Sequence, residues 1–128
     1  MIFTLATFRR ASFITLLILI TCLFWLGEKP EWFQLFPTDP PADKFLHFFV
    51  FGGIAALLRL TTLRFHPLLS FMLAALIGGA DEVHQSYIPG RTASFADFSA
   101  DLVGIILFMT LLAYLRRKLI TPVNLITR

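Results

Sequence analysis

The sequence predicts an all-α membrane protein: one domain over residues 1–128, a bundle of four transmembrane helices with both termini in the cytoplasm. Three observations predict it. Hydrophobic residues make up 57% of the chain, with 15 Phe and a mean hydropathy of +0.78, too apolar for a soluble domain of this size. Several apolar runs of near-spanning length recur between clusters of Pro, Gly and charge. The Lys and Arg residues also fall mostly on one side of any four-span arrangement.

The first span is expected over about residues 11–26. It is short, and either borrows the flanking "GEKPEW" or sits where the bilayer thins. Its start, "RRASFITLLILITC", imitates a signal peptide, and "LITC" imitates a lipoprotein cleavage box. Thr21 fits poorly before such a cysteine, and "LFWL" continues the apolar run, so this segment reads as a membrane helix. Pro30, Pro37, Pro40 and Pro41 then crowd a loop before the second span, 43–60. Pro67 opens the third, 67–87, which at roughly 30 Å is long enough to cross the hydrocarbon core. Pro89 and Gly90 make a turn before the fourth, 95–115.

Arg9, Arg10, Arg59, Arg64, Arg116, Arg117, Lys118 and Arg128 lie on one side of this arrangement, and Lys29, Lys44 and Arg91 on the other. That asymmetry puts the termini inside. The net charge of +3 is therefore a topology signal, and nucleic-acid binding is set aside. All the acidic residues fall on the outer side. The single cysteine, Cys22, excludes an internal disulfide and a Cys-rich metal site. Small residues at Ala74/Gly78, Ala75/Gly79 and Ala96/Ala100/Gly104 predict close packing of spans three and four.

Counting depth from the cytoplasmic ends brings out a polar layer. By helical rise Asp81 stands roughly 21 Å above Pro67, Asp101 roughly 22 Å above Arg116 and His47 roughly 18 Å above Arg59. Three spans thus carry ionisable groups at one level, where such groups are costly and by default functional. Asp43 and Lys44 share the face of His47. Asp81 shares a face with His84 and Gln85, and Glu82 is turned by about 100° from it. Asp97 lies one turn before Asp101, and Arg91 sits in the connection that folds over the layer.

Several of these residues also have an ordinary structural role. Ser94 and Asp97 stand at capping-box spacing. Asp43 suits a helix start, and Lys44 can snorkel. His47 and His84 fit hydrogen-bonded core histidines, while His66 and the Phe-rich stripe fit interfacial and lipid-facing positions. Asp81, Glu82 and Asp101 lie within spans and away from helix starts, where those explanations are weakest.

These residues carry a family resemblance. "DKFLHFFVFGGIAALL" followed by "GGADEVHQSYIPGRTASFADFSADLVGIIL" resembles the VanZ-like family of small bacterial membrane proteins, most strongly over residues 40–115. The shared pattern is Asp43, Lys44 and His47; Asp81, Glu82 and Gln85; Pro89, Gly90 and Arg91; and Asp97. Many members carry Asn where this chain has Asp101, and His84 is less typical than its neighbours. The resemblance implies a bacterial plasma-membrane protein, near the cell-wall precursors bound by the glycopeptide teicoplanin, to which the family's namesake raises resistance.

Three functions fit. In the first, an intramembrane hydrolase or transferase uses Asp81, Glu82, His47 and Asp101 for acid–base catalysis on a lipid-linked or cell-wall-related anionic substrate. Lys44, Gln85, Arg91, Asp43, His84 and Asp97 then bind that substrate. No nucleophile motif accompanies them. A divalent metal on His47, Asp81, Glu82 and His84 is a further option, although no HExxH-type spacing exists. In the second, the same groups hold a lipid headgroup, precursor or glycopeptide without chemistry. The third is proton-coupled transport, for which four short spans leave little room.

Overall fold

The computed structural model describes residues 5–28, 41–62 and 66–126, with side chains as far as residue 118. These residues are all-α and form four helices, in chain order α1 (Leu5–Gly27), α2 (Ala42–Thr61), α3 (Pro67–Gln85) and α4 (Phe95–Ile126). The proline-rich first loop, with Lys29, lies outside the described residues, as do Arg64 and Arg128.

Among the described residues three helices are long and apolar enough to cross a membrane: α1, α2 and the stretch Phe95–Lys118 of α4. The first is longer than its sequence expectation, at 23 residues, because the helix runs back through Arg9 and Arg10 and needs no help from the following loop. The third helix is not among these three. Its last turns carry Asp81, Glu82, His84 and Gln85, and they lower the mean hydropathy of an otherwise apolar segment.

Local chemistry sets the helix ends. Extended His66 precedes α3, its ring Nδ1 accepting the Leu68 N–H at 3.2 Å, and Pro67 follows where no N–H is needed. His66 therefore caps a helix as well as occupying an exposed position. The Ser94 hydroxyl caps α4 by accepting the Asp97 N–H at 3.3 Å. Between α3 and α4 the chain reverses in short turns, and Gly90, at φ 84°, takes the left-handed conformation that the Pro-Gly turn requires.

Helix α2 is the centre of the bundle. It packs most extensively on α4, then on α1 and α3, while α1 touches α3 lightly and makes no close approach to α4 among the described residues. The α2–α4 contact is tight because Gly104 has no side chain: a Cβ there would overlap the Phe48 carbonyl. The small-residue ladder thus serves two interfaces. Gly78 and Gly79 approach Asp101 and Phe98 of α4, as expected for spans three and four, but Gly104 serves α2.

The distribution of polarity is inverted relative to a soluble bundle. Phe13, Ile18, Trp25, Phe45, Phe49, Leu76 and Val103 are exposed. The buried set includes Ser12, His47, Ser70, Asp81, Glu82, Gln85, Asp97 and Asp101. Apolar surface outside and polar groups between helices is the pattern expected of a protein solvated by lipid. The Phe-rich stripe divides accordingly: Phe45 and Phe49 face outward, whereas Phe51 is in the core.

Candidate functional site

His47 and Asp101 of the polar layer read from helical depth meet Glu82 in one cluster with His47 as its hub, while Asp81 pairs with Gln85. Nδ1 of His47, on α2, lies 2.9 Å from Oδ1 of Asp101 on α4 and 3.9 Å from Oε1 of Glu82 on α3. Its ring stacks on Phe51 one turn along. Asp101 is fully buried, and His47 and Glu82 are each 7% exposed. Close helix packing makes the meeting possible, since Gly78 leaves room for Asp101, whose Oδ2 stands 3.1 Å from the place a Cβ would occupy.

Asp81 and Glu82 are adjacent in sequence but face different neighbours, as a 100° step dictates. Asp81 Oδ2 accepts from the Gln85 amide at 2.7 Å, one turn on. Glu82 reaches toward α4, where Oε2 accepts the Ser94 N–H at 2.6 Å. Glu82 thus takes the donor that a full capping box would give to Asp97. Asp97 instead accepts from Lys44 at 2.7 Å, joining α2 to the start of α4. Lys44 is therefore engaged in an ion pair. As a ligand contact it would have to share its charge with Asp97.

His84 turns toward α1. Its Nε2 is 3.6 Å from Glu28, its ring meets Phe24 edge-on, and Gly27 lies beneath it. Helical spacing puts His84 near Asp81 along the axis, but the side chain points to the other neighbour. Asp43 and Arg91 are half-buried, and both line a groove with His47, Asp81 and Gln85.

That groove is about 320 Å³ in volume. Leu19, Leu23 and Leu26 of α1 form one apolar wall, and Leu46, Val50 and Phe51 of α2 form the other. The polar residues close one end. The contribution of α1 was not legible in the sequence, because nothing distinguishes a leucine lining a groove from one facing lipid. The backbone N–H of Ser94 was likewise invisible: "SFAD" announces a cap, but not that Glu82 would claim the N–H.

Two three-residue groups among the described residues bring His and carboxylate atoms within 4.8 Å of one another: His47, Glu82 and Asp101, and Asp43, His47 and Asp97. Asp81 and His84, named from the sequence as metal ligands, belong to neither. Three buried side-chain atoms lack a hydrogen-bond partner among the described residues: Glu82 Oε1, Asp101 Oδ2 and His84 Nδ1. Buried polar atoms are rarely left so, and each calls for an explanation.

Comparison with known proteins gives a family. The model of the family described as VanZ/LLP1 matches residues 2–117. No curated protein and no solved structure matches the chain.

Proposed function

The chain belongs to the VanZ/LLP1 family, and on that premise we propose that it is a multi-pass protein of the bacterial plasma membrane with both termini cytoplasmic. Its outward-facing polar pocket acts by acid–base chemistry on an anionic, lipid-linked or cell-wall-related substrate. The observation that carries this reading is the form of the groove. Apolar walls from α1 and α2 end at Asp43, His47, Asp81, Gln85 and Arg91, which matches a molecule with a long apolar chain and a charged head.

Arg91 is the group suited to the anionic head. With Nδ1 of His47 committed to Asp101, Nε2 is the ring nitrogen available to a ligand. An imidazole oriented by a carboxylate is the arrangement of a positioned base. Asp81, on α3, supplies a second proton-transfer group lining the same groove. Hydrolysis or group transfer fits this set: one group takes a proton from the attacking hydroxyl and another gives one to the departing oxygen. Teicoplanin tolerance is the matching phenotype, since glycopeptides act on wall precursors beyond the same membrane face.

The test compares cells lacking the protein with cells expressing wild type, His47→Gln, Asp81→Asn or Arg91→Ala at matched levels. Envelope lipids and wall precursors are read by mass spectrometry, alongside glycopeptide tolerance. Acid–base action predicts loss in all three variants. A non-catalytic binder keeps its effect in His47→Gln and Asp81→Asn and loses it in Arg91→Ala. Full retention in all three removes the site from the function. Orientation is tested with Cys22 replaced: a cysteine at Thr92 labels from outside and one at Thr62 does not, and the reverse pattern places the pocket on the inner face.

A further inference from the structure

We infer that His47, Glu82 and Asp101 form a binding site for one divalent first-row transition-metal ion, Zn2+ or Mn2+ in type. The three residues come from three different helices, and their donor atoms lie within 4.8 Å of one another. Ligand bonds of about 2.0–2.2 Å place neighbouring donors about 3–3.5 Å apart around such an ion. His47 Nδ1 is already 2.9 Å from Asp101 and 3.9 Å from Glu82, so small side-chain rotations close the shell.

The decisive feature is Glu82 Oε1. This atom is buried without a hydrogen-bond partner among the described residues and faces the His47 ring. The other oxygen of the same carboxylate is held by the Ser94 N–H, the outer support that orients a metal-binding carboxylate. Asp101, fully buried, likewise keeps one oxygen without a hydrogen-bond partner among the described residues.

Charge balance favours the same occupant. Two carboxylates and a neutral imidazole carry two negative charges, and one divalent ion cancels them. At membrane depth a neutral assembly avoids the cost of an isolated buried charge. One nitrogen and two or more carboxylate oxygens make a donor set suited to Zn2+ or Mn2+ and leave coordination positions open. The alternative group of Asp43, His47 and Asp97 is less suited, because Asp97 is already paired with Lys44 and Asp43 is only half-buried. The groove reaches His47 and gives the ion a way in.

What the ion does for a substrate rests on the function proposed above; its binding does not. On loading, the ion takes the place of the Nδ1 proton, which moves to Nε2 and keeps the imidazole neutral, so in the loaded protein His47 holds the ion and the base in the groove is Asp81. Purified full-length protein in detergent, stripped with chelator, is titrated with Zn2+ or Mn2+ alone by calorimetry, with metal content measured after dialysis. Wild type should retain one ion per chain, and its thermal midpoint should rise on loading. Glu82→Gln and Asp101→Asn should weaken binding by about 10-fold or more and lose the midpoint rise, while Asp43→Asn keeps both.

Co2+ loading of wild type gives a reading independent of variant folding, through a visible absorption band typical of protein nitrogen and oxygen ligands. Absence of stoichiometric binding and of that band overturns the inference. So does binding that survives Glu82→Gln and Asp101→Asn, or that is lost in Asp43→Asn. Because the assay contains no substrate, its failure leaves the cellular comparison of His47→Gln and Asp81→Asn to decide the acid–base reading.

Discussion

The two ends of the bundle use polar groups in opposite ways. At the end carrying Arg9, Thr61 and Ser70, hydrogen bonds close gaps in the scaffold. Nε and Nη2 of Arg9 both donate to the Thr61 carbonyl, satisfying an orphan acceptor at the end of α2 and fastening α1 to it. The Thr61 and Thr62 hydroxyls donate to the Leu58 carbonyl, and Thr62 meets Ser70 of α3 at 2.7 Å. At the other end, two carboxylates and a histidine (Glu82, Asp101 and His47) converge from three helices, and Glu82 Oε1 and Asp101 Oδ2 have no hydrogen-bond partner among the described residues. Satisfied polar contacts hold helices together. Unsatisfied buried ones cost free energy and persist where something else is to occupy them.

This contrast can be broken or sharpened by substitution. The largest effect is expected at Gly104, which brings α2 and α4 together and so assembles the site. Gly104→Ala forces a methyl group into the Phe48 carbonyl and should destabilise the protein by about 1–3 kcal/mol or more, read by circular dichroism on heating in detergent. An unchanged midpoint would mean that the α2–α4 contact is looser than the geometry requires.

A smaller effect is expected at the scaffold end. Thr62→Val removes the bond to Ser70 and should cost about 0.6–1 kcal/mol while leaving the cellular effect intact. The smallest change in stability is expected at Glu82. Glu82→Gln retains an acceptor for the Ser94 N–H and removes a buried charge, so the metal-free midpoint should stay level or rise, although function is lost. A large drop in its midpoint would make Glu82 a structural residue like Thr62 and erase the distinction between the ends.

The sequence carried more of this arrangement than its length would promise, and the reason is depth. A 1.5 Å rise and a fixed membrane thickness put His47, Asp81 and Asp101 at one level without any knowledge of packing. The helix boundaries were legible for the same kind of reason, because Pro67, Pro89 and Gly90 act locally. What depth does not give is rotation about each axis. Helical spacing groups His84 with Asp81, yet His84 turns to Phe24 of α1 and to Glu28 just beyond it. Small-residue spacing places Gly104 in the contact with the third helix, yet it admits Phe48 of the second. Both depend on which helix stands beside which, and local sequence does not encode that. Lys44 and Asp97 looked like two independent ligands for the same reason.

The account's central claim is that the end with unpartnered carboxylates works and the end with satisfied hydroxyls only holds. One measurement tests it most directly: the mass spectrum of envelope lipids and wall precursors from cells expressing wild type, Thr62→Val or Glu82→Gln at equal levels. Wild type and Thr62→Val should share one profile, and Glu82→Gln should match cells without the protein. A Glu82→Gln profile indistinguishable from wild type would contradict the claim.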